Sequence, residues 1–469
     1  MSSIPNAFNI SRTGLTMTSH WAQVVSGNIA NADDPSYGRR TLDRVTYGGG
    51  TVHATAIRRQ ADQSLARMYR EELANMTREE TIASGIRAYT TSLGSLDDPN
   101  SPAQLLTEFQ TSLDFLFNDP AQTSLQQATL QSAEALTRGL NRLSGDLDSA
   151  TGETLQRLRA DLSDANEIME GIAKLNVRVT RAEPGTELYA TLKDQQDAAL
   201  NRLAEYMDIR VEPGAEGTVD IYTQGGMRLL EGDTAQTLEF DRATGVLTAG
   251  GEDITPPRVT GVNSGRLAGH AQLWNETLPR MRLQIDELAR SIIVSFEDAD
   301  ASLGPGDAGL FTDGGLAYDP ASLTGLAGRI AVNDLVIPEN GGALWRLRDG
   351  LGTVLPDHSG NTEQLGAFID AMDAPQTYDP GTTLPSDITL ADYVSSMIAD
   401  QRSRYAAAEK DFENFAASAG SIDDARLNAQ GVNIDDELQQ LLMVEKSYAA
   451  NSQVVSTLSN MLDTLLAVV

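Results

Sequence analysis

Four histidines, His20, His53, His270 and His358, are the residues best suited to metal or acid–base chemistry in this 469-residue chain. They are scattered. None has a second His, Asp or Glu at the spacing of a helical HExxH or HxxxH site, so metal ligation has no pattern to rest on. There is no cysteine, which excludes disulfides, thiolate nucleophiles and Cys-bound metals. No Gly-x-Ser-x-Gly elbow occurs. The glycine tracts at Gly48–Gly50 and Gly225–Gly226 lack the Gly-Lys-Ser/Thr or the following helix that cradles a phosphate. Acidic pairs such as Asp97/Asp98, Asp423/Asp424 and Asp435/Asp436 read as solvated faces or helix caps, because 66 acidic residues make such pairs frequent by chance. Asp307 to Asp319 has acids and glycines without the order of an EF-hand loop. The sequence therefore predicts no catalytic residue, cofactor or metal site, and not an enzyme.

Composition narrows the partners. The formal net charge of −31 argues against nucleic acid and anionic membranes, and no basic cluster with interleaved aromatics offsets it. The first residues have neither a basic segment nor an apolar core of the Sec signal type. No run of 18 apolar residues occurs, so no transmembrane helix is expected.

What remains is patterning. From Ile434, every seventh residue is apolar or aromatic: Leu441, Tyr448, Val455, Leu462 and Val469. The companion positions are Glu437, Val444, Asn451, Leu458 and Leu465. This is a coiled-coil seam of about five heptads, on a helix roughly 54 Å long. Asn433 stands at the N-cap, with Asp435, Asp436 and Glu437 in the first turn, where the helix dipole favours negative charge. A second seam lies at the other end: Phe8, Leu15, Ala22 and Ile29, with Trp21 and Val25 beside them, on a helix over 6–32 that Pro35 terminates. Each narrow seam needs a partner, and the two ends most simply pack on each other. An ordinary antiparallel pair within one bundle is an equally open reading.

Between the ends, 36–52 reads as extended or loop. Amphipathic periodicity predicts helices over 61–96, about 101–118, 121–147, 152–182, 187–206, 265–303 and 390–419. From 207 to 264 the period switches to two, with many glycines, and predicts a small β domain of hairpins. Residues 304–385 are irregular, and Gly420 to Gly431 reads as a linker. The expected fold is mainly α: a long helical bundle with paired terminal heptad helices and a small inserted β domain. The expected domains are 1–50 with 431–469 as a terminal helical core, 51–206 with 265–430 as the bundle, and 207–264 as the β domain.

Three segments resemble the bacterial flagellar axial protein family. Ser26-Gly-Asn-Ile-Ala-Asn-Ala-Asp-Asp-Pro-Ser-Tyr37 is similar to the family's Ser-Asn-Asn-Ile-Ala-Asn-x-x-Thr-Pro-Gly-Tyr. Asn28, Ile29, Ala30, Asn31, Pro35 and Tyr37 match; Gly27, Asp34 and Ser36 depart. Asn28 and Asn31 lie a turn apart at a helix end, where their amides are able to cap carbonyls or bond a neighbouring chain. Gly431-Val-Asn-Ile-Asp-Asp-Glu437 and Met461-Leu-Asp-Thr-Leu-Leu466 resemble the family's closing helix. In the middle, Leu116-Phe-Asn-Asp-Pro120, Leu192-Lys-Asp-Gln-Gln-Asp197 and Ser264-Gly-Arg-Leu-Ala-Gly269 resemble the hook-associated branch that joins hook to filament, with Gln196 where that branch usually has Arg and with 297–304 departing from its pattern.

The resemblance implies a structural protein that forms a ring between hook and filament by packing of terminal helices. It implies subunit-assembly roles for Leu15, Val25, Asn28, Ile29, Asn31, Ile434, Leu441, Tyr448, Val455, Leu458, Leu462 and Leu465. The implied partners are further copies of the chain, the hook protein, a second junction protein (hook-associated protein 3) and an export chaperone, without nucleic acid or membrane. The implied place is the extracellular flagellum, reached through the flagellar type III apparatus. The competing expectations are a hook- or flagellin-like filament subunit, and a secreted adhesin or hydrolase on a helical scaffold.

Overall fold

A computed structural model describes residues 3–48 and 50–467. Gly49 of the predicted glycine loop, Val469 of the C-terminal heptads and the side chain of Leu465 lie outside the described residues. The chain opens with α1 (Ser3–Ala30), a hairpin of β1 (Arg40–Thr46) and β2 (Val52–Arg59), and then α2 (Gln63–Leu93), α3 (Pro102–Asn118), α4 (Thr123–Arg181) and α5 (Glu187–Tyr206). Seven short strands follow: β3 (Ile209–Pro213), β4 (Val219–Thr223), β5 (Arg228–Glu231), β6 (Thr234–Ala235), β7 (Leu238–Asp241), β8 (Val246–Ala249) and β9 (Glu252–Asp253). Next come α6 (Arg266–Gln272), a π turn (Leu273–Thr277) and α7 (Leu278–Asp298). The irregular stretch holds β10 (Phe311–Asp313), β11 (Ile330–Val332), α8 (Arg346–Asp349) and α9 (Glu363–Asp373). Two long helices close the chain, α10 (Leu390–Gln430) and α11 (Ile434–Ala467). The fold is mainly α with small antiparallel sheets.

Local chemistry explains the boundaries. Ser101 caps α3 by accepting from Gln104 N–H at 3.2 Å, with Pro102 in the first turn. Thr186 caps α5, and Asn433 Oδ1 accepts from the Asp435 and Asp436 amides at 3.0 and 3.3 Å to start α11. Two expectations are corrected. The predicted helices over 121–147 and 152–182 are one helix, α4. Its buried stripe runs unbroken through Leu147, Ala150, Leu155 and Leu158, and the isolated Gly152, costing about 1 kcal/mol against Ala, stops nothing without a cap or proline. The predicted linker over 420–431 is helical up to Gln430, where α10 ends. Its last turns are held by the Asp423–Arg426 pair at 2.8 Å and by Arg426 stacked over Tyr69.

The chain divides into two compact units. One gathers the residues up to Thr77, Asp161–Ala268 and those from Glu413 onward; the other holds Arg78–Ala160 and Gly269–Phe412. In the second unit, leucines of α3 and α4 pack on α7 around four phenylalanines. Phe296 lies 5.0–5.5 Å from Phe109, Phe311 and Phe368, ring centre to ring centre. The irregular stretch supplies two of these rings, so it is part of the core.

In the first unit, β3-β4-β5-β6 and β7-β8-β9 form two antiparallel sheets in sequential order. Two asparagines of α4 clamp them. Asn176 accepts from Val219 N–H at 3.0 Å and donates to its carbonyl at 2.9 Å; Asn166 does the same to Leu238 at 2.8 and 3.0 Å. Gln196 is buried and donates to Asn176 Oδ1 at 2.7 Å, so this departure from the family pattern completes the clamp. Gly265 has φ +90° and its N–H donates to Ala74 O at 2.8 Å. A Cβ there would lie 2.4 Å from Met207 N, which leaves glycine alone compatible with the site.

Candidate assembly interface

The turn after α1 is built from its own polar residues. Asn31, exposed, returns its side-chain amide to Gly27 O at 2.8 Å and caps its own helix. Asp34 Oδ1 accepts from Ser36 N–H and Oγ–H at 2.8 and 2.7 Å, which folds the chain around Pro35. Tyr37 therefore swings back beneath α1, where its hydroxyl donates to Asn28 Oδ1 at 2.9 Å. Asn28 is buried and fully engaged. Its Oδ1 also accepts from Arg40 N–H at 3.0 Å, and its Nδ2 donates to Arg40 O at 2.9 Å and to Glu437 Oε2 at 3.0 Å.

A buried ionic cluster surrounds that amide. Glu437, fully buried in the first turn of α11, also accepts from Arg39 Nε at 2.8 Å. Arg40 sits over the Tyr37 ring at 4.4 Å, pairs with Asp194 of α5 at 2.9 Å and meets Glu187. Arg59 of β2 pairs with the same Asp194 at 2.8 Å and with Asp197. Gly38 N–H donates to Asp194 at 3.1 Å. Burial pushes the Asp194 carboxyl above its ordinary range, outweighing the opposing pull of Arg59, the Gly38 amide and Arg40. Burial likewise raises the Tyr37 hydroxyl. Every member is tied to a structural partner, and among the described residues no group of three His, Asp or Glu side chains is placed to hold a metal. The cluster fastens the 26–40 turn, α5 and the start of α11 together.

From this anchor α1 and α11 run antiparallel along each other. Asn28 meets Glu437, Trp21 Nε1 donates to Gln440 Oε1 at 3.3 Å, and Gly14 lies against Asn451. The seam differs from the heptads read in the sequence. On α1 the buried line is Ser11, Thr18, Val25 and Asn28, while Leu15 and Ile29 are half-buried and Phe8 is exposed. On α11 the inward line is Glu437, Val444, Asn451 and Leu458. Leu441 and Val455 flank it half-buried; Ile434, Tyr448 and Leu462 point to solvent. The reason is fit: α1 offers small and polar residues, and Glu437 must reach Arg39 and Asn28. Val25 and Asn28 are thus buried by contacts within the chain. The ionic partners Arg39, Arg40, Arg59 and Asp194 carry no heptad signal. Only the acidic residue at a seam position, Glu437, hinted at them.

The outward face of α11 remains strongly apolar. Ile434, Leu438, Leu442, Tyr448, Met461 and Leu466 are between 44% and 68% exposed. Single exposed leucines are ordinary, but a helix-long series is the mark of an interaction surface.

The chain is similar to known flagellar proteins. Residues 94–303 match the family model described as the flagellar hook-associated protein FlgK helical domain, and residues 424–468 match that of the flagellar basal body rod FlgEFG protein C-terminal region. The chain is 21% identical to flagellar hook-associated protein 1 of Bacillus subtilis (strain 168), over 93% of each chain. It is 22% identical to flagellar hook-associated protein 1 of Escherichia coli (strain K12), over 98% of each. A solved flagellar hook junction protein, FlgK from Burkholderia pseudomallei, aligns with 53% of this chain and 47% of its own length, at 18% identity and a TM-score of 0.45.

Proposed function

The chain belongs to the flagellar hook-associated protein 1 family, and we propose that it is a structural junction protein, not an enzyme, whose copies form a ring between hook and filament. The observation that carries this reading is the face of α11 left uncovered by α1: a series of exposed leucines and a tyrosine along a chain-terminal helix. Neighbouring copies would bury it, with Leu442, Tyr448 and Leu462 facing the next subunit. Burial returns roughly 25 cal/mol per Å² of apolar surface. Ile434 shares this face and Leu441 and Val455 border it, Leu458 continues the line packed on α1, and Leu465 is carried on the same helix, whereas Leu15, Val25, Asn28, Ile29 and Asn31 prepare α1 and its turn. The hook protein on one side and a second junction protein on the other are the remaining partners, and an export chaperone would cover the apolar termini before assembly. Export through the flagellar apparatus to the cell exterior fits a chain without cysteine.

The test is a deletion strain. Intact hooks with flagellin shed into the medium, restored to filaments by the intact gene, are the expected result. Normal filaments in the deletion strain overturn the junction role, and growth of the purified chain into long tubes by itself favours a hook- or flagellin-like filament subunit.

A further inference from the structure

The α1–α11 seam holds little information about its own register. Its hydroxyls and amides are spent within their own helices: Thr18 Oγ1 donates to Gly14 O and Leu15 O at 2.9 Å, and Asn451 Nδ2 donates to Ser447 O at 2.9 Å. Gly14 makes room for Asn451 and Ser11 is small, so shape along this stretch rests on one close contact. Among the described residues, two side-chain hydrogen bonds cross between the helices, Trp21 to Gln440 at 3.3 Å and Asn28 to Glu437 at 3.0 Å. A slide of one heptad would move α11 by roughly 10 Å and still offer apolar residues to α1. It would also leave the Glu437 carboxylate buried without Arg39 or Asn28, and an unpaired buried charge is heavily penalised.

We infer that Glu437, held by Asn28 and Arg39, is the residue that selects the register of the terminal helix pair. The anchor is rigid on its far side. Asn28 is fixed by Tyr37 and by the Arg40 backbone, and Arg39 N–H donates to Gln430 O at 2.8 Å, just ahead of α11. Glu437 is therefore a positioning residue. It acts as a buried polar side chain acts in a coiled coil: it selects one alignment by making the others costly. Its consequence for assembly rests on the proposed function, because the register decides which α11 residues reach a neighbour; the register itself does not depend on that reading.

The absence of native cysteine permits a direct test on the isolated full-length chain. Gly14→Cys with Asn451→Cys reports the observed register. Ala7→Cys with Asn451→Cys, and Gly14→Cys with Leu458→Cys, report a slip of one heptad in either direction. With Glu437 present, mild oxidation should cross-link the first pair at least about tenfold faster than the slipped pairs. In Glu437→Leu that preference should fall to within about threefold while helicity is kept, because Arg39 is 24% exposed and its freed guanidinium can turn to water. Glu437→Gln, which removes the charge at constant shape, should lose part of the preference. Retention of the full preference in folded variants overturns the inference. So does loss of folding in both variants, which would assign Glu437 to stability instead. The readout requires no flagellum, so a failed junction role would leave it standing.

Discussion

The Asn28 amide donates to the Glu437 carboxylate at 3.0 Å although 409 positions separate them in sequence. Both are buried, and each lies in one of the two terminal motifs. The bond explains why a turn near the N-terminus and the first turn of the last helix carry specific polar residues: each completes the other. It also divides α11 into a face committed to α1 and a face that is free.

That division predicts different outcomes for two classes of variant on the same helix. Leu442→Asp and Leu462→Asp sit on exposed positions and should change stability by no more than about 0.5 kcal/mol. A charge buried against a neighbour should nevertheless abolish incorporation. Circular dichroism of the isolated chain and motility of a complemented deletion strain measure the two effects. Normal swimming would remove the outward face from the assembly contact.

The Asp194 site should behave in the opposite way. Asp194→Ala removes the buried carboxylate that Arg40 and Arg59 share, leaving these largely buried arginines only the more exposed Glu187 and Asp197. The expected loss is about 3–5 kcal/mol, the range for breaking one partner of a buried pair. Chemical denaturation should register it, and a loss below about 1 kcal/mol would mean that Glu187, Asp197 and water replace the carboxylate.

Alkaline stability should be governed by buried tyrosines of the second unit. Tyr378 stacks on Tyr393 with ring centres 3.8 Å apart and accepts from Ser291 Oγ at 3.2 Å. Burial raises Tyr378 from 10.0 to about 12, and pushes Tyr393 and Tyr89 higher still. A phenol whose folded pKa is raised stabilises the fold fully below its unfolded pKa, and that stabilisation is lost as pH climbs from 10 towards 12. Tyr378 alone should account for about 2–3 kcal/mol. Denaturation midpoints between pH 8 and 11.5 should fall steeply in the parent chain and less steeply in Tyr378→Phe.

Two glycines with nearly the same positive φ should respond differently to alanine. Gly251, at φ +87°, has open space around an added Cβ, so Gly251→Ala should cost about 1 kcal/mol, the conformational penalty alone. Gly265, at φ +90°, would bring the Cβ to 2.4 Å from Met207 N. Its substitution should cost about 2 kcal/mol more. Equal melting points for the two variants would contradict the contact.

Periodicity in the sequence was enough for the helices, for the switch to short strands between 207 and 264, and for the expectation that both ends are heptad helices in need of partners. These follow from spacing alone, since a period of seven or of two survives whatever packs on it. The motifs around Asn28 and Glu437 identified the family. Only the tertiary structure decided which line of each heptad faces inward. That choice depends on Gly14 fitting Asn451 and on Glu437 reaching Arg39, contacts between residues hundreds of positions apart. Hydrophobicity selected Ile434, Tyr448 and Leu462 for the seam. Polar satisfaction of a buried carboxylate turned them outward, where a neighbouring copy is the partner proposed for them.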